Sequence, residues 1–340
     1  MSLANTVKGY RQRAGIVLAK RRLEGRTEPP GPAPFVCGVT RSGTTLLRLM
    51  LDSHTDMAIP GETHWLPKLI KYQERGKHTA DELANQIIDH KRWGDFHLDG
   101  EQLRERIRAL QPVNAADAIR AFYLLYTERE GKTRYGDKTP GYIKEMPRIE
   151  RVLPEARFVH IIRDGRDVAL SHFRMNWGPE TPAESARLWR NRIRKARKVG
   201  PKVSHYTEVR FEELVLDTEG VLRRVCDFIE LDFQPAMLDY HERAEGRLAE
   251  KARELPRKNR PNQPAETRLE SHRLAKEPPR SDRIGMWRER MSEGQVAEYE
   301  AVAGDMLAEL GYELATDAGV ARAREKGLDA EVAAAPAGAT

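Results

Sequence analysis

From about residue 35 onward, short apolar runs alternate with longer stretches whose apolar positions recur every three or four residues. Residues 35–39 form a strand-like run, and residues 44–53 place Leu46, Leu47, Met50 and Leu51 on one helical face. Residues 64–129 read as mostly helical, most clearly over 81–90 and 115–128. A second strand is expected at 133–136, then a helix over 143–153 stopped by Pro154. A third strand at 157–163 leads into a helix from about Asp167. A helix over 182–199, a strand at 203–210 and helices at 219–229 and 292–310 complete the reading. Strands alternating with helices predict an α/β fold whose parallel sheet is covered on both faces.

The margins behave differently. In residues 1–33, Val7, Tyr10, Ala14, Val17 and Leu18 predict a basic helical arm, and the proline-rich stretch over 28–34 ends it. Residues 246–283 hold five prolines and few large apolar side chains, which predicts a lid or binding loop. Residues 316–340 are Ala-rich and expected to be disordered. The domain reading is therefore an arm over 1–33, a main domain over 34–315 and a tail over 316–340. Within the main domain, 65–130 is a helical insertion and 246–283 a C-terminal lid segment.

Composition narrows the function classes. Charged residues make up 32% of the 340-residue chain, and no apolar run reaches membrane-spanning length. Two cysteines, Cys37 and Cys226, cannot make a disulfide framework, and the chain shows no secretory signal pattern; a cytoplasmic protein is expected. The net charge of +6 is unevenly placed. Residues 1–34 carry seven basic and two acidic residues, and residues 246–283 carry eleven and six, so the remaining body is mildly acidic. That partition favours a small anionic ligand at the second segment over a general polyanion partner.

The sharpest chemistry lies between the first strand and its helix. Gly38 and Gly43 have the spacing of the G-x-x-x-x-G-K-[ST] phosphate loop, with Thr44 at the lysine position. A glycine turn opening a helix aims backbone N–H groups and the positive helix end at an anion. Losing the lysine removes the charge that reaches β- and γ-phosphates, which argues against ordinary nucleoside triphosphate hydrolysis. Arg163 ends the third strand, and Ser171 follows two helical turns later, so both can converge on a phosphate at the sheet edge. Arg280, Gly285 and Trp287 form a third cluster, with Trp287 placed to pack beneath an anion.

Together these clusters resemble the sulfotransferases that use 3′-phosphoadenosine-5′-phosphosulfate (PAPS), and most of all their tyrosylprotein branch. Arg41, Ser42, Gly43, Thr44, Thr45 and Leu46 match that family's 5′-phosphosulfate loop, and Arg163 with Ser171 matches its 3′-phosphate pair. Residues 280–287 are similar to its R-K-G-x-x-G-x-W segment, although Ser281 and Asp282 replace the lysine and first glycine. The resemblance spans about residues 35–312. It implies a P-loop type parallel sheet flanked by helices and transfer of a sulfuryl group from PAPS to a hydroxyl acceptor without a metal. It further implies Glu62 as general base, where the family has G-E-E-T-R and this chain has His64 in place of the arginine, and Lys138 as the lysine of N-K-D-P. Arg41 and Lys138 would then stabilise the sulfonate oxygens. Ser42, Gly43, Thr44 and Thr45 would hold the 5′-phosphate, and Arg163, Ser171 and Arg280 the 3′-phosphate.

Other readings stay open at this point. A P-loop kinase or NTPase would share the loop. A nucleotide or nucleic-acid binder could use Arg187, Arg190, Arg192, Arg194, Lys195, Arg197 and Lys198 on the helix over 182–199, although no aromatic ladder is interleaved with them. The acceptor is a small molecule, lipid, glycan or peptide, and a homodimer through the arm is compatible with the sequence. Trp65, Tyr72, Trp93, Phe96, Phe122, Tyr123 and Tyr126 could line an acceptor pocket or fill a core.

Overall fold

The computed structural model describes residues 29, 31–110, 112–175, 178–257 and 261–332. The arm helix expected before residue 28 lies outside them. The described chain begins with β1 (Ala33–Gly38), which runs into α1 (Thr44–Asp52) and then β2 (Met57–Ala58). The insertion follows as α2 (Leu66–Gln73), α3 (Ala80–Ile88), α4 (Gly100–Arg108) and α5 (Ala115–Arg129). Next come β3 (Arg134–Tyr135), β4 (Asp137–Lys138), α6 (Met146–Val152), β5 (Ala156–Ile162), α7 (Gly165–His172), α8 (Pro182–Val199) and β6 (Tyr206–Arg210). Helices α9 (Phe211–Leu216), α10 (Thr218–Phe228) and α11 (His241–Ala249) lead into the basic segment, which contains α12 (Ala265–Glu270). Helices α13 (Trp287–Arg290), α14 (Glu293–Glu309) and α15 (Asp317–Arg324) close the chain.

The main sheet has the order β4-β1-β5-β6, and every neighbouring pair is parallel. Its carboxyl ends therefore share one edge: Gly38, Lys138, Ile162 and Arg210 all stop there. Side chains alternate across the sheet as the pleat requires. Phe35 and Cys37 face the core shared with the insertion helices, whereas Val36, Val159 and Ile161 face the core beneath α1, α10 and α11. A third core joins α7 and α8 to α13–α15. Both faces are covered, as a parallel sheet demands.

Three sequence expectations change. The strand expected at 133–136 is split: β3 pairs with β2 in a separate sheet, and β4 joins β1. The crossover falls at Gly136, where a Cβ would meet both the ring and the carbonyl of Pro34 at 2.8 Å. The tail is not disordered through its described part. Helix α15 buries Val320 and Ala323 against α14, and the buried Glu300 carboxylate accepts from Ala315 N (3.1 Å) and Thr316 Oγ1 (2.7 Å). Alanine-rich composition here marks close helix packing. Finally, Trp65, Phe96, Phe122, Tyr123 and Tyr126 are all inaccessible, and the first four form an edge-to-face aromatic core, so they fill the core and are not pocket walls.

The basic helix is also partly accounted for by the fold. Arg190 donates to the Val302 carbonyl, Arg194 pairs with Asp305, and Arg197 bridges Glu208 and Glu309 at 2.9 Å each. These contacts clamp α8 to α14 and β6, which ties three of the seven basic residues proposed for a nucleic-acid backbone into the fold. No helix among the described residues is long and apolar enough to cross a membrane.

Candidate active site

The turn between β1 and α1 is constrained by two left-handed residues. Gly43 has φ 97°, and a Cβ there would lie 2.5 Å from the Phe211 ring, so glycine is required. Arg41 has φ 74°, a conformation that costs a non-glycine residue about 1–2 kcal/mol. Its guanidinium offsets that strain by donating from Nε to Ser171 Oγ (2.7 Å) and from Nη1 to the Ser271 carbonyl (2.6 Å). Helix α1 begins at Thr44 with no side chain capping it, so its first N–H groups point out of the sheet edge. Ser42 Oγ is buried without a hydrogen-bond partner beside them.

On one side of the loop stands a carboxylate–ammonium pair. Lys138, at the end of β4, is fully buried and donates to Glu62 Oε1 at 2.9 Å. The other Glu62 oxygen meets His64 Nε2 at 2.7 Å and Arg92 Nη2 at 3.4 Å. Burial alone would raise the Glu62 pKa, but Lys138, His64 and Arg92 outweigh it and hold the carboxyl well below its ordinary value. Burial lowers the Lys138 pKa against the opposing pull of Glu62. His64, like Arg41, is left-handed (φ 58°), so both strained non-glycine residues of this edge flank the site.

On the other side the cations converge. Arg163 lies 4.4 Å over the Phe211 ring, donates to the Arg283 carbonyl at 2.6 Å and reaches the Arg41 carbonyl at 3.5 Å. Its Nε is buried without a partner. Burial lowers the Arg41 pKa, and the charges of Arg163 and Arg174 add to that effect. Arg283 is coupled to the same Arg174. Arg174, a basic residue that the sequence reading did not single out, thus joins Arg163 in the field around Arg41.

The structure brings Arg41, Ser42, Gly43, Thr44, Thr45, Glu62, Lys138, Arg163 and Ser171 to one sheet edge. Arg280 is not among them: it is half-exposed and forks onto Asp282, with Glu277 beside it. The replacement of a glycine by Asp282 supplies the carboxylate that draws Arg280 away. The neighbouring Trp287 is buried as expected, but the cation over its ring at 3.7 Å is Arg166. The segment is pinned instead by Asp167, whose carboxylate accepts from Gly285 N (2.9 Å) and Trp287 N (3.0 Å).

The basic segment over 246–283 does cover the loop, with fewer free charges than its composition suggests. Arg247 is bound to Asp52, Glu130 and Glu250, while Arg253 and Arg268 both hold Asp95. Two polar side chains of the segment approach the phosphate loop: His272, 3.3 Å from Thr45 Oγ1, and Lys251, 3.1 Å from His272. No cluster of three or more metal-binding side chains occurs among the described residues.

A parallel sheet, a glycine-turn loop without the usual lysine, and a buried Lys–Glu pair thus meet at one edge of an α/β protein. The chain belongs to the sulfotransferase family, whose family model matches residues 32–235. It is 28% identical over 216 residues to a putative protein-tyrosine sulfotransferase of Caenorhabditis briggsae, covering 61% of this chain and 69% of that protein. It is 24% identical to protein-tyrosine sulfotransferase A of Caenorhabditis elegans over 64% of this chain and 54% of that one. The match to the Drosophila melanogaster protein-tyrosine sulfotransferase covers 40% of that relative's length. Among solved structures, the sulfotransferase domain from the curacin biosynthetic pathway shares the fold with a TM-score of 0.55 and 20% identity, over 84% of this chain and 99% of that domain. The sulfotransferase domain of the Synechococcus PCC 7002 olefin synthase does so with a TM-score of 0.51 and 23% identity, over 90% and 98%.

Proposed function

We propose that this protein transfers a sulfuryl group from PAPS to a hydroxyl acceptor, with Glu62 as general base. The observation that carries the reading is the Lys138–Glu62 pair standing beside a lysine-free phosphate loop. The N–H groups at the start of α1, with the Ser42, Thr44 and Thr45 hydroxyls, suit a 5′-phosphate. Arg163, Ser171 and the nearby Arg174 supply the positive field for a 3′-phosphate, and Arg280 is not needed for it.

In the proposed step, the acceptor oxygen attacks sulfur in line while Glu62 takes its proton. A new S–O bond forms, and the bond from sulfur to the bridging oxygen breaks. That electron pair leaves on the 5′-phosphate of adenosine 3′,5′-bisphosphate. Charge grows on the bridging and peripheral oxygens, where Arg41 and Lys138 are placed to stabilise it. Lys138 then has two tasks. In the free protein it holds Glu62 ionised; drawn toward the donor, it releases the carboxylate to act as a base.

The relatives' names make a polypeptide tyrosine the first acceptor to test, ahead of small phenols, glycans and lipids. Incubation with isotopically labelled PAPS and a panel of these acceptors, read by product mass, tests the reading. Label transfer by the wild type and its collapse in Glu62→Gln are expected. Absence of transfer to every acceptor, together with no binding of adenosine 3′,5′-bisphosphate, would sink it.

A further inference from the structure

Lys251 is buried and has no carboxylate partner within ion-pair distance among the described residues. Its place is set by its neighbour Glu250, a buried carboxylate that binds Arg48 of α1 (3.2 Å), Tyr126 of α5 (2.7 Å) and Arg247 of α11 (2.9 Å). The ammonium meets His272 Nε2, whose other ring nitrogen meets Thr45 Oγ1. This chain of contacts ends on the phosphate loop itself. The Lys251 stem also passes the acceptor side, where a Cβ on Gly61 would lie 3.8 Å from its Cε.

Resting on the nucleotide reading above, we propose that Lys251 and His272 are further contacts of the donor's phosphosulfate group, and that His272 takes up a proton from solvent when the anion binds. Every charged group facing the pair is consistent with that. Arg41 faces it from the phosphate loop, Lys138 from β4, Arg48 from α1 and Arg92 from the insertion, against the Glu62 carboxylate. Glu62 is already shared by Lys138, His64 and Arg92, and Arg48 by Glu250. Burial first, then these cations, push both the His272 and Lys251 pKa values well below their ordinary range. An anion at the loop reverses the sign of that field and favours the protonated imidazole.

The test is calorimetry of adenosine 3′,5′-bisphosphate binding to the full chain at about pH 8, well above the ordinary His pKa, in two buffers of different ionisation enthalpy. Wild type should take up a measurable fraction of a proton per nucleotide, and its affinity should weaken as pH rises. His272→Asn should bind with the uptake reduced, and Lys251→Met should weaken binding by roughly tenfold. Equal enthalpies in the two buffers for wild type, or undiminished uptake in His272→Asn, would refute the inference while leaving the nucleotide site standing. No binding by the wild type would remove the nucleotide reading and this inference with it. The wild-type buffer comparison decides even if a variant does not fold.

Discussion

Lys138 Nζ and Glu62 Oε1 are 2.9 Å apart, and the lysine, at the end of β4, is fully buried. The pair sets the state of the base: Lys138 is the largest of the charges that overcome burial and keep Glu62 ionised. Replacing Lys138 with Met should therefore have a second effect besides slowing transfer. With its principal cation gone, burial pushes the Glu62 pKa upward, and the acidic limb of the single-turnover pH–rate profile should move to higher pH. A slower enzyme whose limb stays in place would show that Lys138 does not tune Glu62. Glu62→Gln should lower the single-turnover rate by about 10²–10⁴-fold on the plateau above that acidic limb.

The 3′-phosphate assignment makes a selective prediction. Arg163→Met should lose roughly tenfold or more of the preference for adenosine 3′,5′-bisphosphate over AMP, because a charge-assisted contact is removed for one ligand only. Arg280→Ala should leave that preference within about twofold, since an exposed Arg tied to Asp282 contributes little. Calorimetric titrations of both nucleotides against both variants decide this. A large loss from Arg280→Ala would show that the 280–287 segment rearranges onto the ligand.

The contrast between Arg163 and Arg280 also shows what was legible in the sequence. Glu62 and Lys138 were legible only through the family resemblance, whereas the phosphate loop, Arg163 and Ser171 could be read because a strand end, a tight turn and the helix after it fix their spacing locally. The order of strands and helices could be read for the same reason. Arg280 could not, because its destination depends on a competing carboxylate two residues away. Lys251 and His272 carried no signal: they are twenty-one residues apart, and β4, the phosphate loop and the basic segment over 246–283 must all be folded before they meet. The split at Gly136 was hidden because four residues of strand-like composition do not say which sheet they join. The described part of the tail is helical because its Ala and Gly positions fit a tight helix crossing, which composition alone does not distinguish from disorder.

That crossing supports a stability prediction. Glu300 is inaccessible and pairs with Arg166 (2.7 Å), itself buried and bound to Asp164. Glu300→Ala removes half the compensation of a buried guanidinium and two acceptors of the α14–α15 corner. A loss of about 3 kcal/mol in urea unfolding is expected. Deleting residues 317–332 should also destabilise the chain, by uncovering the face of α14 that packs on Val320. A deletion with unchanged midpoint would make α15 an appendage.

His172 gives an acid-stability prediction with a definite window. It is buried at the end of α7, with Nδ1 2.9 Å from Ser185 Oγ and Nε2 3.3 Å from Thr40 Oγ1 beside the phosphate loop. Burial lowers its pKa from 6.5 to about 4; the Thr40 contact opposes this, and the charges of Arg41 and Arg192 add to it. Between those two values the unfolded chain binds a proton that the folded chain refuses. The contribution is therefore present above pH 6.5 and is lost as pH falls toward 4. The loss attributable to this residue is about 3 kcal/mol. His172→Asn should be less stable than wild type at neutral pH through its altered contacts, yet flatter through this window. Denaturation midpoints measured at intervals across it, in both proteins, test the slope; parallel curves would show that His172 titrates normally.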